Sequence, residues 1–239
     1  MSNDTQRADQ IVYHFYTKLV FVVNNARLPQ EPNGQAKIDK WVRILVHSTH
    51  CAVRTHSCAH ACLCNDQFNL EVPECNLFKD TIRLYRSVST ARSTPPFELQ
   101  VLLSVPELSN NQVLVHVAPN SSRTRVDHPP KFILLENWAI NFVPDGSQHS
   151  GDVAPSTIYK LGIALFRSVY ALLRILPTWK SHRPLKRRVG GSAGAFTLQL
   201  RLRSEGPDDR ILAFGESQSF RPIEAWHHLI NFVLMINLI

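Results

Sequence analysis

No stretch of this chain is long and apolar enough to read as a bilayer span. The longest apolar run, LGIALFRSVYALLRILP at 161–177, is broken by Arg167 and Arg174 and falls short of the roughly 20 residues a span needs. It reads as a buried helix. The first ten residues, MSNDTQRADQ, are polar and hold no apolar core of a secretory signal. Cysteine is missing outside a short region, and four of the five (Cys51, Cys58, Cys62, Cys64) crowd into CAVRTHSCAHACLCND at 51–66. A disulfide frame would be spread along the chain, so a reducing compartment is the default. Ser, His and Asp are scattered, and the glycines of VGGSAG (189–194) lack the lysine of a phosphate loop. An enzyme is therefore not expected, and neither is a cofactor. Internal repeats and low-complexity tracts are absent too. Charged residues are sparse at 19%.

What is present is enough apolar residue (44% of 239) to bury a sizeable core, together with a formal net charge of +7. That charge favours acidic partners: nucleic acid, an anionic membrane or a phosphorylated protein.

Residues 7–26 predict a helix with Ile11, Phe15, Leu19, Val22 and Val23 on one face. AKIDKW (36–41) restarts order after LPQEPNG. Residues 76–89 predict a second amphipathic helix, with Asn76 as N-cap and Leu77, Phe78, Ile82, Tyr85 and Val88 as its stripe. FELQVLLSV (97–105), QVLVHVAP (112–119) and KFILLENWAINFV (131–143) predict three strands of an antiparallel meander, with Asn110-Asn111 as a turn. Residues 155–176 predict the longest helix, with Pro155 in its first turn, apolar around most of its circumference and hence central. Two more strands follow, 195–204 and 208–217, expected to pair through SEGP. The order predicts an α+β fold, with a sheet covered by three helices.

Four segments, ADQIVYHFYTKLVFVVNNAR, FNLEVPECNLFKD, LLENWAINF and IYKLGIALFRSVYALLRILPTWK, taken in order and spacing, resemble the N-terminal HORMA domain of fungal autophagy-related protein 13. The resemblance covers about 8–41 and 68–217 and implies one HORMA-like domain over 8–217. It also implies a non-enzymatic adaptor of the autophagy-initiation kinase complex, cytoplasmic and at the phagophore assembly site. The partners it implies are that kinase complex, a second HORMA protein, the autophagy phosphatidylinositol 3-kinase complex and the multispanning autophagy protein on vesicles. The family's long disordered tail is not in this sequence.

Against that family, the 26 residues Val42–Gln67 are an insert. Valine codons begin GT and a glutamine codon ends AG, so the stretch reads as an intron retained in frame and as a disordered loop. Its alternatives are an ordered loop without metal, or a metal site on Cys51, Cys58, Cys62 and Cys64, giving a zinc-dependent nucleic-acid-binding module. Its spacings lack the paired Cys-x2–4-Cys knuckles of usual zinc sites. The tail 218–239 also departs from the family. It reads as a misread exon end that truncates the domain, or as a short apolar helix or strand packed on it.

Some fungal members resemble a phosphate sensor. The matching positions here are Arg210 in DDRILAF and Asn137 in LLENW, where the family often has arginine. Asparagine carries no charge and cannot fork onto phosphate, which departs from the pattern. Arg174 is a third anion-binding candidate; otherwise it snorkels or pairs. Trp138 reads as core. Lys180, His182, Arg183, Lys186, Arg187 and Arg188 flank and fill a basic loop at 181–194. That loop is either a solvated run, an anionic-lipid contact or a nuclear address.

Overall fold

Three apolar patterns of different period are brought onto one sheet. The computed structural model describes residues 3–28, 64–88, 96–118, 120–144, 154–180, 196–203, 211–213, 218–225 and 230–238. The expected segment 36–41, the basic loop 181–194 and most of the insert 42–67 lie outside them.

Helix α1 runs Asn3–Arg27, one turn longer at its start than the apolar stripe requires. Phe15, Leu19, Val22 and Val23 are buried as expected, and Tyr16, Val20 and Phe21 join them. Arg27 closes the last turn, where a cation suits the helix dipole. Helix α2 is only Lys79–Ile82, continued by a 3-10 turn at Arg83–Tyr85. The predicted fourteen-residue helix is thus reduced to two turns. Phe78, not Asn76, stands at its N-cap, and its left-handed backbone (φ 58°) stops the helix from reaching back. Leu77 is left exposed. Of the predicted stripe, Phe78, Ile82, Tyr85 and Val88 still pack on the core, the last three spaced every three residues, the period of a 3-10 turn.

Helix α3 spans Pro155–Ile175, with the proline in its first turn and Gly162, Leu165, Phe166, Val169 and Leu173 buried. Its apolar surface is not wrapped on all sides, because Leu161 and Ile175 face outward. The helix covered on several sides is α1. Its Phe15 meets Phe166 of α3 at 5.4 Å between ring centroids. Its Tyr16 meets Tyr85 at 4.6 Å and Phe97 at 4.7 Å.

The main sheet is built from β3 (Phe97–Ser104), β6 (Phe132–Pro144), β7 (Thr197–Leu202), β9 (Gln218–Ala225) and β10 (Ile230–Leu238), after a short β1–β2 pair at Cys64–Asn65 and Val72–Pro73. Its order is β7-β3-β6-β10-β9, each neighbouring pair antiparallel, with a sixth, two-residue strand beside β6. The α+β class stands, with one change to the meander. Residues 97–104 pair directly with 132–140, and the described part of the predicted second strand, 112–118, does not enter the sheet. Val115–Val117 (β4) pairs instead with Arg123–Arg125 (β5) in a separate hairpin. The turn at Asn110-Asn111 does form, with Gln112 N–H donating to Ser109. However, Val105 N–H donates to Lys131 O and closes the excursion at its base.

Ile211–Leu212 (β8) likewise does not pair with β7. It lies parallel to Phe132–Ile133, just beyond the reach of β10, whose register ends at Leu238 opposite Glu136. The tail takes the strand alternative. β10 pairs with β6 over nine residues and lies between it and β9. A continuous apolar run suits such an inner strand.

Candidate functional site

The residues that do the most chemistry in the interior are charged ones standing in apolar runs. Arg27 and Glu136 are fully buried. The Arg27 guanidinium donates from Nε to both Glu136 oxygens at 3.0 Å, from Nη2 to Oε1 at 2.7 Å, and from Nη1 to the Leu173 carbonyl at 2.8 Å. Trp138 Nε1–H donates to Glu136 Oε2 at 3.0 Å. One side chain thereby ties the end of α1 to the middle of β6 and the last turn of α3. Desolvating both ions is costly, so the pair is worth more as a specifier of how three elements meet than as net stability.

Lys18 is the second buried cation. Its ammonium donates to the carbonyl and to Oδ1 of Asn65, both at 3.0 Å, and to the Leu70 carbonyl. Burial lowers its pKa from 10.5 to about 8, against the opposing pull of Asp66, Glu71 and Glu74. Asn65 Oδ1 also accepts from Gln67 N–H at 3.2 Å. The last residues of the insert, Cys64–Gln67, are thus fastened to α1. Between α1 and residues 74–82 lies a small cleft of about 170 Å³, with Tyr13, Phe21, Cys75 and Lys79 in its wall. Burial raises the Cys75 thiol.

Phe68 is a knot in the same region. Its backbone is left-handed (φ 57°), its N–H donates to Tyr159 Oη at 2.9 Å, and its ring stacks on Tyr159 at 4.9 Å. Gly162 gives it room: a Cβ there would lie 2.6 Å from the Phe68 ring and 2.9 Å from Phe15.

Two of the three anion candidates, Asn137 and Arg174, fall within the described residues, and each makes its own contacts. Asn137 is buried on β6, and its Nδ2 donates to Glu98 Oε2 at 3.0 Å, a carboxylate that also holds Arg203 at 2.9 Å. The atom Asn137 has left, Oδ1, is a buried acceptor without a hydrogen-bond partner, which repels an anion. Strand alternation puts Asn137 on the face opposite Glu136 and Trp138, away from the helices. Arg174 sits on α3, its guanidinium 3.7 Å from the Tyr170 ring centroid and donating to the Tyr170 hydroxyl. Arg210 lies outside the described residues, as do Arg183, Lys186, Arg187, Arg188, Cys51, Cys58 and Cys62. Lys180 is exposed at the end of the helical turn 177–180. Cys64 lies on β1, its backbone paired with Pro73. Among the described residues, no group of three or more His, Cys, Asp or Glu is arranged to hold a metal. None of the described helices is long and apolar enough to cross a membrane.

Lys18, Arg27 and Glu136 were missed by pattern reading. The available signal was a lysine among the apolar positions of α1, an arginine four residues beyond Val23, and a glutamate inside FILLENWAI.

The family model for autophagy-related protein 13 matches residues 12–220. Autophagy protein 13 of Schizosaccharomyces pombe is 26% identical over 179 residues, covering 72% of this chain and 20% of the relative. Autophagy-related protein 13 of Gibberella zeae is 25% identical over 202 residues, covering 75% of this chain and 19% of the relative. The chain spans about a fifth of the length of these relatives. The solved HORMA domain of an autophagy-related protein 13 superposes with a TM-score of 0.50 at 14% identity, covering 67% of this chain and 83% of that one. That likeness establishes the fold.

Proposed function

The chain belongs to the autophagy-related protein 13 family and has its HORMA fold, and we propose that it acts as a non-enzymatic adaptor in the autophagy-initiation kinase complex. The family match, over residues 12–220, carries the reading. The use of the buried charges supports it. Lys18, Arg27 and Glu136 spend their hydrogen bonds inside the fold, on backbone carbonyls, on the Asn65 and Trp138 side chains and, for Arg27 and Glu136, on each other, holding the elements together rather than facing a substrate. Such a scaffold offers surfaces, not reacting groups.

The partners in this proposal are a second HORMA protein, the autophagy phosphatidylinositol 3-kinase complex and the multispanning autophagy protein on vesicles. Its place of action is the cytoplasm, at the phagophore assembly site. Phosphate sensing is left out, because the leftover atom of Asn137 is an acceptor beside a carboxylate.

Affinity capture of the tagged chain with the purified second HORMA protein, and separately with the lipid-kinase subunits, tests the proposal. Stoichiometric retention of either is expected for the wild type and is lost when the fold is broken through Arg27. Retention of neither by a chain with a cooperative unfolding transition overturns it.

A further inference from the structure

The β4–β5 hairpin stands off the main sheet, and its strands pair with each other. Its ladder is extended at both ends, by Val126 N–H to Leu114 O and Ala118 N–H to Ser122 O, each at 2.9 Å. Pairing places Val115 beside Arg125 and Val117 beside Arg123 on one face. Leu114 and Val126, the half-buried apolar pair, lie on the other. The valine row therefore points outward: Val113, Val115 and Val117 are 50%, 43% and 59% exposed. An outward row of valines is a liability in water unless something covers it.

We propose that this hairpin docks on an anionic phospholipid surface, with Val115 and Val117 entering the headgroup boundary and Arg123 and Arg125 meeting lipid phosphates. Charge selects this occupant. Between Ser109 and Lys131 the sequence has three cations, Arg123, Arg125 and Lys131, against one carboxylate, Asp127. Asp127 lies 3.4 Å from Arg125, and both are more than two-thirds exposed, so the pair is weak and gives way to phosphate. Arginine stems lying beside apolar residues carry their charge to the headgroups while the valines go deeper. A second copy of the face would desolvate four arginines with only the two Asp127 carboxylates to meet them. An added peptide strand would bond the open edge of β4 or β5 and leave the valines uncovered.

Flotation of the whole chain at low salt with phosphatidylcholine vesicles, and with vesicles one-third phosphatidylserine, tests this. The wild type is expected to float with the anionic vesicles and not with the neutral ones. Arg123→Gln with Arg125→Gln lowers the partition coefficient about 30-fold, roughly fivefold for each arginine. Val115→Ser with Val117→Ser also weakens binding. Both double variants keep the wild-type unfolding midpoint, because all four side chains are exposed. Wild-type binding to neither vesicle, or equally to both, overturns the proposal. So does wild-type binding by both hairpin variants while Lys186→Gln, Arg187→Gln and Arg188→Gln together abolish it, which assigns the lipid contact to the basic run. Self-association that the valine variant removes, without vesicle binding, assigns the face to a second copy.

Discussion

Replacing Arg27 by leucine removes the cation that neutralises Glu136 and the donor that satisfies the Leu173 carbonyl. Glu136 remains fully buried, with only Trp138 Nε1–H against one of its oxygens. Breaking a buried pair from one side costs about 3–5 kcal/mol, because an uncompensated charge is left in the interior. The stranded Leu173 carbonyl adds to this, at about 1–3 kcal/mol for an unsatisfied buried acceptor. The single variant should therefore lose roughly 4–8 kcal/mol, a large share of the 5–15 kcal/mol of a typical domain. At ~2–4 °C per kcal/mol in a domain of this size, the midpoint falls by on the order of 10–30 °C. Glu136→Met, tested alone, strands Arg27 in the same way. The double variant carries no buried charge at this position and loses less than the sum of the two, even though Trp138 then lacks its acceptor. Urea unfolding of the four proteins closes a double-mutant cycle, with an expected coupling of at least about 2 kcal/mol. Strictly additive losses would refute the claim that Arg27 and Glu136 act as one unit. A single-variant loss under ~1 kcal/mol would refute the claim that they are dry.

Gly162→Ala places a methyl 2.6 Å from the Phe68 ring and should cost about 1–3 kcal/mol in urea unfolding, partly recovered by Phe68→Leu. Lys18 titrates near pH 8 when folded and near 10.5 when unfolded, so between these values the unfolded chain holds more protons. Raising pH across that window should therefore strengthen the wild type relative to Lys18→Met, and a constant difference from pH 7.5 to 10 would contradict the burial of the amine. Asn65→Ala takes one acceptor from Lys18 and one from the Gln67 N–H, and should cost about 1–3 kcal/mol in the same assay. Transcript sequencing across codons 41–68 settles the intron reading directly. If the stretch is translated, deleting Val42–Gln67 destabilises the protein by removing Asn65, the acceptor for Lys18; a deletion that stabilises it favours the intron.

The sequence by itself determined the stripe of α1, the start of α3 at Pro155, the pairing partners 97–104 and 132–140 as strands, and Trp138 as core, because period and breaker residues act over a few positions. It also carried the family, through segments whose order no single motif conveys. Tertiary structure decided the rest. Only there did Phe78 turn left-handed and shorten the second helix, residues 115–117 leave the sheet to pair with 123–125, and the apolar tail become β10 against β6. Whether a lysine or an arginine among valines faces water or spends its hydrogen bonds inside depends on what a chain segment tens of residues away presents to it. Arg27 found Glu136 and Leu173 across 109 and 146 residues, and Asn137 found Glu98 across 39. Local pattern cannot encode such meetings, since burial and hydrogen-bond partners are properties of the packed chain.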